Sequence, residues 1–180
     1  YFLKDKSICY DIGSSTSELL IKLSKYTNKK ANFIGIDNEK KMIQFSKKLI
    51  KAQNIKNIKN KFSDVTKVKF LKSDMIISYY TFQFINPKYR QTLLNKIYKS
   101  LNWGGAFFLF EKIRGFDARF QDMYTNLYHD FKQKNGFSVE QIDEKQKSLR
   151  GVMEPFSEKG NIDMLKRSGF VDISGVFQYL

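Results

Sequence analysis

The residues best suited to chemistry in this chain are acids placed just after short apolar runs. Ile8-Cys9-Tyr10 leads into Asp11-Ile12-Gly13 and then into Ser14, Ser15, Thr16 and Ser17. Helically spaced leucines follow from Leu19, so the stretch reads as a buried strand, a tight turn of small residues and a helix start. Gly13 allows a ligand close to the backbone, and the first-turn amides of the helix aim donors and partial positive charge at it. Phe33-Ile34-Gly35-Ile36-Asp37 is a second apolar run that ends in a carboxylate. An acid about 20 residues past a glycine turn, at the tip of the next parallel strand, can accept both hydroxyls of a ribose. Gly13-Ser14-Ser15-Thr16 lacks the later glycines of a dinucleotide turn. A nucleoside-type ligand without phosphates is therefore expected. Asp64, the run from Tyr79 to Thr81, and Glu111 also fall where strands are expected to end. A salt bridge from Glu111 to Lys112 or Arg114 is the purely structural alternative for that acid.

These positions need a sheet to hold them. Strands are expected over residues 7–12, 31–37, 58–62, 74–80, 106–113 and 171–178. Helices are expected from 16 or 17 to 26, over 39–52 and 88–101, over 117–135 and 138–149, and over 158–167. Leu19, Leu20, Leu23 and Tyr26 form the apolar stripe of the first helix. Met42, Ile43, Phe45, Ser46, Leu49 and Ile50 form that of the second. Residues 28–30 and Asn102-Trp103-Gly104-Gly105 read as turns, and Ser138-Val139-Glu140-Gln141 as a capping box. The alternation predicts an α/β fold: a doubly wound, mostly parallel sheet with helices on both faces and ligands at the carboxyl ends of its strands. A helical hairpin at 117–150, between the fifth and sixth strands, would cover the substrate or meet a second subunit. A sheet of this kind continues further, so the single domain of 1–180 is expected to be truncated at both ends.

Composition narrows the classes. The 180 residues carry a net charge of +14, and 16% are aromatic, with 17 Phe and 10 Tyr. Lysines are spread along the chain without a compact patch interleaved with aromatics, which is the pattern of a solvated basic surface. Charge alone does not imply RNA binding. One cysteine, Cys9, excludes an intramolecular disulfide framework, and no Cys, His and carboxylate cluster has metal-ligand spacing. No apolar run reaches membrane-spanning length and the start is not a signal peptide, so a soluble cytoplasmic protein is expected. His129, the only histidine, sits on a helix rich in aromatics and reads as a structural residue. No catalytic residue is assigned.

The strings DIGSSTS, GIDNEKKM, SDV at 63–65, YYTFQFINPKYRQTLLNKIYKSLNWGG and FEK, with the hairpin wording from Tyr128 to Ser138, resemble the class I S-adenosylmethionine-dependent methyltransferases. Within that superfamily the chain is similar to the carboxy-S-adenosyl-L-methionine synthase family, which prepares the donor for wobble-uridine modification of tRNA. The resemblance implies a Rossmann-like fold, with S-adenosylmethionine or its carboxylated form bound at Asp11, Gly13, Ser14, Asp37, Asn38, Asp64, Val65 and Tyr79. Asp37 would hold the ribose hydroxyls, and Asp64 with the Val65 amide the adenine edge. It also implies prephenate as the carboxyl source, with Gln146, Lys147 and Arg150 as the carboxylate candidates; Glu111, at the end of the fifth strand, is a substrate-site candidate, and the hairpin would be the contact of a homodimer.

Two positions depart from the family. Gln146 stands where those enzymes carry the arginine that clamps the extra carboxylate, and glutamine cannot make that bidentate, charge-assisted fork. Lys147 or Arg150 would substitute with a small change of helix register. Tyr79 stands where asparagine is usual. An ordinary methyltransferase acting on a small molecule or RNA is the alternative, and a non-catalytic ligand-binding member of the same fold is another.

Overall fold

The computed structural model describes residues 1–27 and 30–179. Five strands form one sheet in the order β3-β2-β1-β4-β5, from β1 (Ile8–Ile12), β2 (Asn32–Asp37), β3 (Ile58–Phe62), β4 (Ser73–Tyr79) and β5 (Leu101–Phe110), all of them parallel. The chain winds outward from β1 through α1 (Glu18–Tyr26) and α2 (Lys40–Ala52), then returns to β4 and continues the other way through α3 (Pro87–Ser100). The order reverses between β1 and β4, and the crevice at such a reversal is where open parallel sheets bind ligands. Among the described residues no helix is long and apolar enough to cross a membrane.

Alternation along the strands builds a core on each face. Tyr10, Ile12, Ile36 and Ile76 pack with Leu93, Leu94 and Ile97 of α3 and with Met164 of α6 (Glu158–Ser168). Cys9, Phe33, Met75 and Ile77 pack on the other side with Leu20 and Ile21 of α1 and Ile50 of α2. Near-continuous apolar strands are thus explained by burial on both faces. The hairpin α4 (Ala118–Lys134) and α5 (Val139–Ser148) follows β5, and Ser138 and Gln141 complete the expected capping box.

Several expectations change. Residues 171–178 form no strand; a strand exists through its ladder, and among the described residues none pairs with this segment, so the hairpin follows β5 without leading to a sixth strand. Tyr179 instead meets the Phe131 ring at 5.9 Å. Asn102–Gly105 is not a turn before β5 but part of it. A bulge opposite Ser73 and Met75 absorbs the extra residues, Gly104 takes φ +73, and Asn102 Nδ2 donates to Asp74 Oδ1 at 2.9 Å. Tyr26 is 88% exposed, and Met42 and Phe45 also face solvent; Ile21 takes the inward position on α1, because the buried arc of each helix is narrower than its apolar content. Of the turn expected at 28–30, Asn28 and Lys29 lie outside the described residues.

A small polar cluster ties β3 to the start of α1 and to α2. Ser17 donates to Asn60 Oδ1 at 3.2 Å, and Asn60 Nδ2 donates to the Ser46 hydroxyl. Gly35 lies against this cluster, where a Cβ would clash with Asn60 Oδ1 and sit 2.7 Å from Ser14 Oγ. Gly35→Ala is expected to destabilise the protein by about 1–3 kcal/mol through overpacking, read as a lower urea midpoint at unchanged slope.

Candidate functional site

The carboxyl ends of β1, β2 and β3 bring Asp11, Gly13, Asp37 and Asp64 to one edge. After Asp11 the chain must turn over the end of β2. Gly13 takes φ +75, its amide and that of Ser14 both donate to Ile36 O, at 2.8 and 3.0 Å, and a Cβ on Gly13 would clash with the Thr81 side chain. Ser15 and Ser17 also hold positive φ, at 48 and 62. Asp37 braces the loop: one carboxylate oxygen accepts from the Ser15 amide at 2.8 Å and the other from the Glu39 amide at 2.7 Å. Asn38 is exposed beside it.

Asp11 is buried, and its Oδ1 has no hydrogen-bond partner. Burial, with the Asp37 charge adding to it, pushes its carboxyl up to about 7. The same burial pushes the Cys9 thiol up. Ser14 is buried too, its hydroxyl likewise unpaired. A buried acceptor without a donor costs about 1–3 kcal/mol, so these two atoms point to a ligand that brings donors or positive charge. Both suit the cationic, amine-bearing group that the sequence resemblance implies.

Asp64 caps the short 3-10 turn Val65–Lys67: its Oδ1 accepts from the Thr66 amide at 2.9 Å and the Thr66 hydroxyl at 2.8 Å, and the hydroxyl holds the carboxyl below its usual range. Asp64 also borders a cavity of about 400 Å³ lined by Thr66, Lys67, Tyr89, Thr92 and Leu93. That cavity lies on the α3 side, and none of Asp11, Gly13 or Asp37 lines it. Val65 is buried.

Beyond the switch point, Tyr79 ends β4 half-exposed, its ring 4.8 Å from Tyr80 and 5.4 Å from Phe110. Tyr80 has φ +54, an uncommon conformation for a bulky residue and one that functional edges often carry. Burial, then the neighbouring Tyr79, Glu111 and Tyr128, raise its phenol. Glu111 makes neither expected salt bridge. Its two oxygens accept from the amides of Phe82 and Gln83, each at 2.8 Å, and burial outweighs those bonds to push the carboxyl up to about 7. It therefore ties the exit of β5 to the loop after β4.

Sequence reasoning passed over Arg90. It is only 2% exposed, donates to Ile85 O at 2.7 Å and Gln83 O at 3.2 Å, and lies over the Phe156 ring. The signal was available, because Arg90 shares the face of Leu93, Leu94 and Ile97 at helical spacing. The hairpin candidates are not drawn to the strand tips by any hydrogen bond among the described residues. Gln146 and Arg150 are exposed, and Lys147 pairs with Asp143 on its own helix at 2.6 Å. Lys112 and Lys132, neither of them a ligand candidate from the sequence, both lie over the Tyr128 ring. Among the described residues no group of three or more His, Cys, Asp or Glu could hold a metal ion.

The raised carboxyls of Asp11 and Glu111 set a pH dependence. Folded values near 7 against ordinary values of 3.8 and 4.5 mean that the folded state holds protons the unfolded state has released. Their stabilising contribution is full below the ordinary range and is lost as pH rises through about 7. Ligand-free protein is expected to have a lower urea midpoint at pH 8 than at pH 5. Asp11→Asn should flatten that decline by a few kcal/mol, at about 1.4 kcal/mol per pH unit.

The chain matches known proteins along nearly its whole length. A family model described as "Methyltransferase domain" matches residues 3–166. The carboxy-S-adenosyl-L-methionine synthase of Staphylococcus epidermidis is 39% identical over 179 residues, covering 99% of this chain and 77% of that protein. The synthase of Nautilia profundicola is 37% identical over 180 residues, with coverage of 99% and 75%. Phosphoethanolamine N-methyltransferase 2 of Haemonchus contortus, solved with S-adenosyl-L-methionine, shares the fold at a TM-score of 0.71 and 16% identity, covering 94% of this chain and 34% of that one. A five-stranded parallel sheet with acids at its strand tips and identity of this extent lead to one assignment: the chain is a transferase of the class I S-adenosylmethionine-dependent methyltransferase superfamily and belongs, within it, to the carboxy-S-adenosyl-L-methionine synthase family.

Proposed function

We propose that this transferase converts S-adenosylmethionine and prephenate to carboxy-S-adenosylmethionine, the donor for wobble-uridine modification of tRNA. One observation carries the proposal. The ligand edge is divided into an acidic half over β1–β3, with Asp11, Asp37 and Asp64, and a half at β4 and β5 that offers tyrosines and lysines. A cationic nucleoside suits the first half and a carboxylate-bearing co-substrate the second. Identity to curated synthases at 39% over 99% of the chain supports it.

In this reading Asp37 takes the ribose hydroxyls, with Asn38 beside it. Asp64 and the Val65 amide receive the adenine edge. The turn from Asp11 to Ser14 takes the methionine end, where the unpaired Asp11 oxygen accepts a donor from the ligand and regains the ionised form that burial disfavours. Tyr79 lines the same end of the cleft. When bound, S-adenosylmethionine supplies the methyl carbon that receives the carboxyl group, with phenylpyruvate and water as co-products. The protein contributes position: an edge fixed by backbone turns holds two small molecules in reacting order. Residues 1–180 act as one domain, and the hairpin at 117–150 is its cover and the contact for a second copy.

One observation favours an ordinary methyltransferase instead. Gln146 is neutral and exposed, and Lys147 is committed to Asp143, so α5 offers no free arginine fork where the family clamps its extra carboxylate.

Asp37→Ala is expected to weaken S-adenosylmethionine binding about ten- to a hundredfold, the scale of a lost pair of charge-assisted hydrogen bonds, measured by calorimetric titration. Mass spectrometry of ligand released from the purified protein, alongside a Gln146→Arg variant, separates the two readings. Carboxy-S-adenosylmethionine in the wild type is the expected result. Plain S-adenosylmethionine there, with the carboxylated form only in the variant, would mean an ordinary methyltransferase.

A further inference from the structure

Lys112 and Lys132 come from different elements and meet on one ring. Lys112 follows Glu111 at the exit of β5, and Lys132 lies on α4, one turn after Tyr128. Their ammonium nitrogens stand 4.7 and 4.4 Å from the Tyr128 ring centre. Burial lowers the Lys112 ammonium, and the Lys132 charge lowers it further, so the two cations are near enough to oppose each other.

Neither has an anion. Among the described residues the only ion pairs are Lys147 with Asp143 and Lys159 with Asp163. Glu111 is adjacent in sequence, but both of its oxygens are taken by the amides of Phe82 and Gln83. A cation over a phenol ring gains about 0.5–2 kcal/mol, which explains why each lysine lies there but not why two like charges share one ring without a counter-ion. The neighbouring chain indicates what is missing. Lys112 N donates to Gln83 Oε1 at 3.1 Å, which fixes its backbone beside the loop after β4, and that loop begins with the strained Tyr80. Tyr128 is close enough to influence the Tyr80 phenol. The lysine pair therefore borders the tyrosine-bearing half of the ligand edge, with flat ring faces on hand.

The geometry points to Lys112 and Lys132 as the binding site for a carboxylate of an anionic, ring-bearing co-substrate, held between the strand tips and the helical cover. This rests on the carboxyl-transfer reading and deepens it: positive charge that α5 does not deliver through Gln146 is delivered from β5 and α4. An anion received there is attracted by both ammonium charges and relieves their repulsion. The two lysines bind and position, and take no part in bond making.

Calorimetric titration of the full protein tests this, with prephenate and with malonate as a plain dicarboxylate probe. Lys112→Gln and Lys132→Gln are each expected to weaken prephenate about tenfold or more, with S-adenosylmethionine affinity unchanged. Lys112→Arg and Lys132→Arg, which keep the charge, should restore much of it and guard against a folding defect. Wild-type prephenate binding that both Gln variants retain would overturn the site while leaving the carboxyl-transfer reading intact. Malonate binding that the Gln variants lose, without any prephenate binding by the wild type, would uphold the anion site and overturn prephenate as the substrate. Binding of neither probe by the wild type would overturn the site as well.

Discussion

The ligand edge depends on a close approach between two loops at the point where the strand order reverses. Gly13, after β1, lies against the Thr81 side chain, after β4, and leaves no room for a Cβ. Its positive φ turns the chain so that two successive amides meet the carbonyl of Ile36 at the end of β2. One residue thus sets the distance between β1, β2 and the β4 loop. Gly35 does the same one layer deeper, where Ser14 and Asn60 occupy the space a side chain would need. Backbone placed this tightly explains how buried oxygens such as Asp11 Oδ1 and the Ser14 hydroxyl stay unpaired.

The charge layout follows from the same topology. β1, β2 and β3 each end in or near an acid, and parallel strands bring those ends to one side. β5 is followed instead by Glu111 and Lys112, and the acid accepts from the Phe82 and Gln83 amides while the lysine lies over the Tyr128 ring of α4. Arg90 reinforces the arrangement from behind by holding the carbonyls of Gln83 and Ile85. The Gln83 carbonyl also accepts from the Glu154 amide at 2.8 Å, which anchors the segment returning from the hairpin. The loop after β4 is therefore fixed from three elements. Three anchors of this kind hold a loop at the strand tips in one position, which is what fixes the geometry of the groups around it.

Much of this was legible in the chain itself. The strand at Ile58–Phe62 matches its expected bounds although most of it is exposed, and the other four observed strands were anticipated; for β1, β2 and β4 the reason is that apolar runs closed by turn residues leave little freedom where both faces are buried. Asp11, Gly13, Asp37 and Asp64 were legible as strand-tip residues by their spacing from those runs. The strand expected at 171–178 failed for a physical reason: alternation makes a segment fit to be a strand, but only a neighbouring ladder makes it one. The Asn102–Gly105 segment failed the opposite way. Its glycine does adopt a turn-like φ, yet the ladder with β4 continues through it as a bulge.

Local sequence determined which stretches become strands and helices, where helices are capped and which acids stand at strand ends, since each depends on residues within a turn or two. It did not determine partners. Whether Glu111 would pair with a lysine or with backbone amides, whether Lys147 would be free or spent on Asp143, and which cations would share the Tyr128 ring were decided only when distant segments packed. Charge pairing depends on distance and on competing donors, and both are properties of the folded molecule. The residue type at position 146 was legible in the chain, and its exposure on α5 was not. Only the tertiary structure brought Lys112 and Lys132, 20 positions apart in the chain, to a single ring.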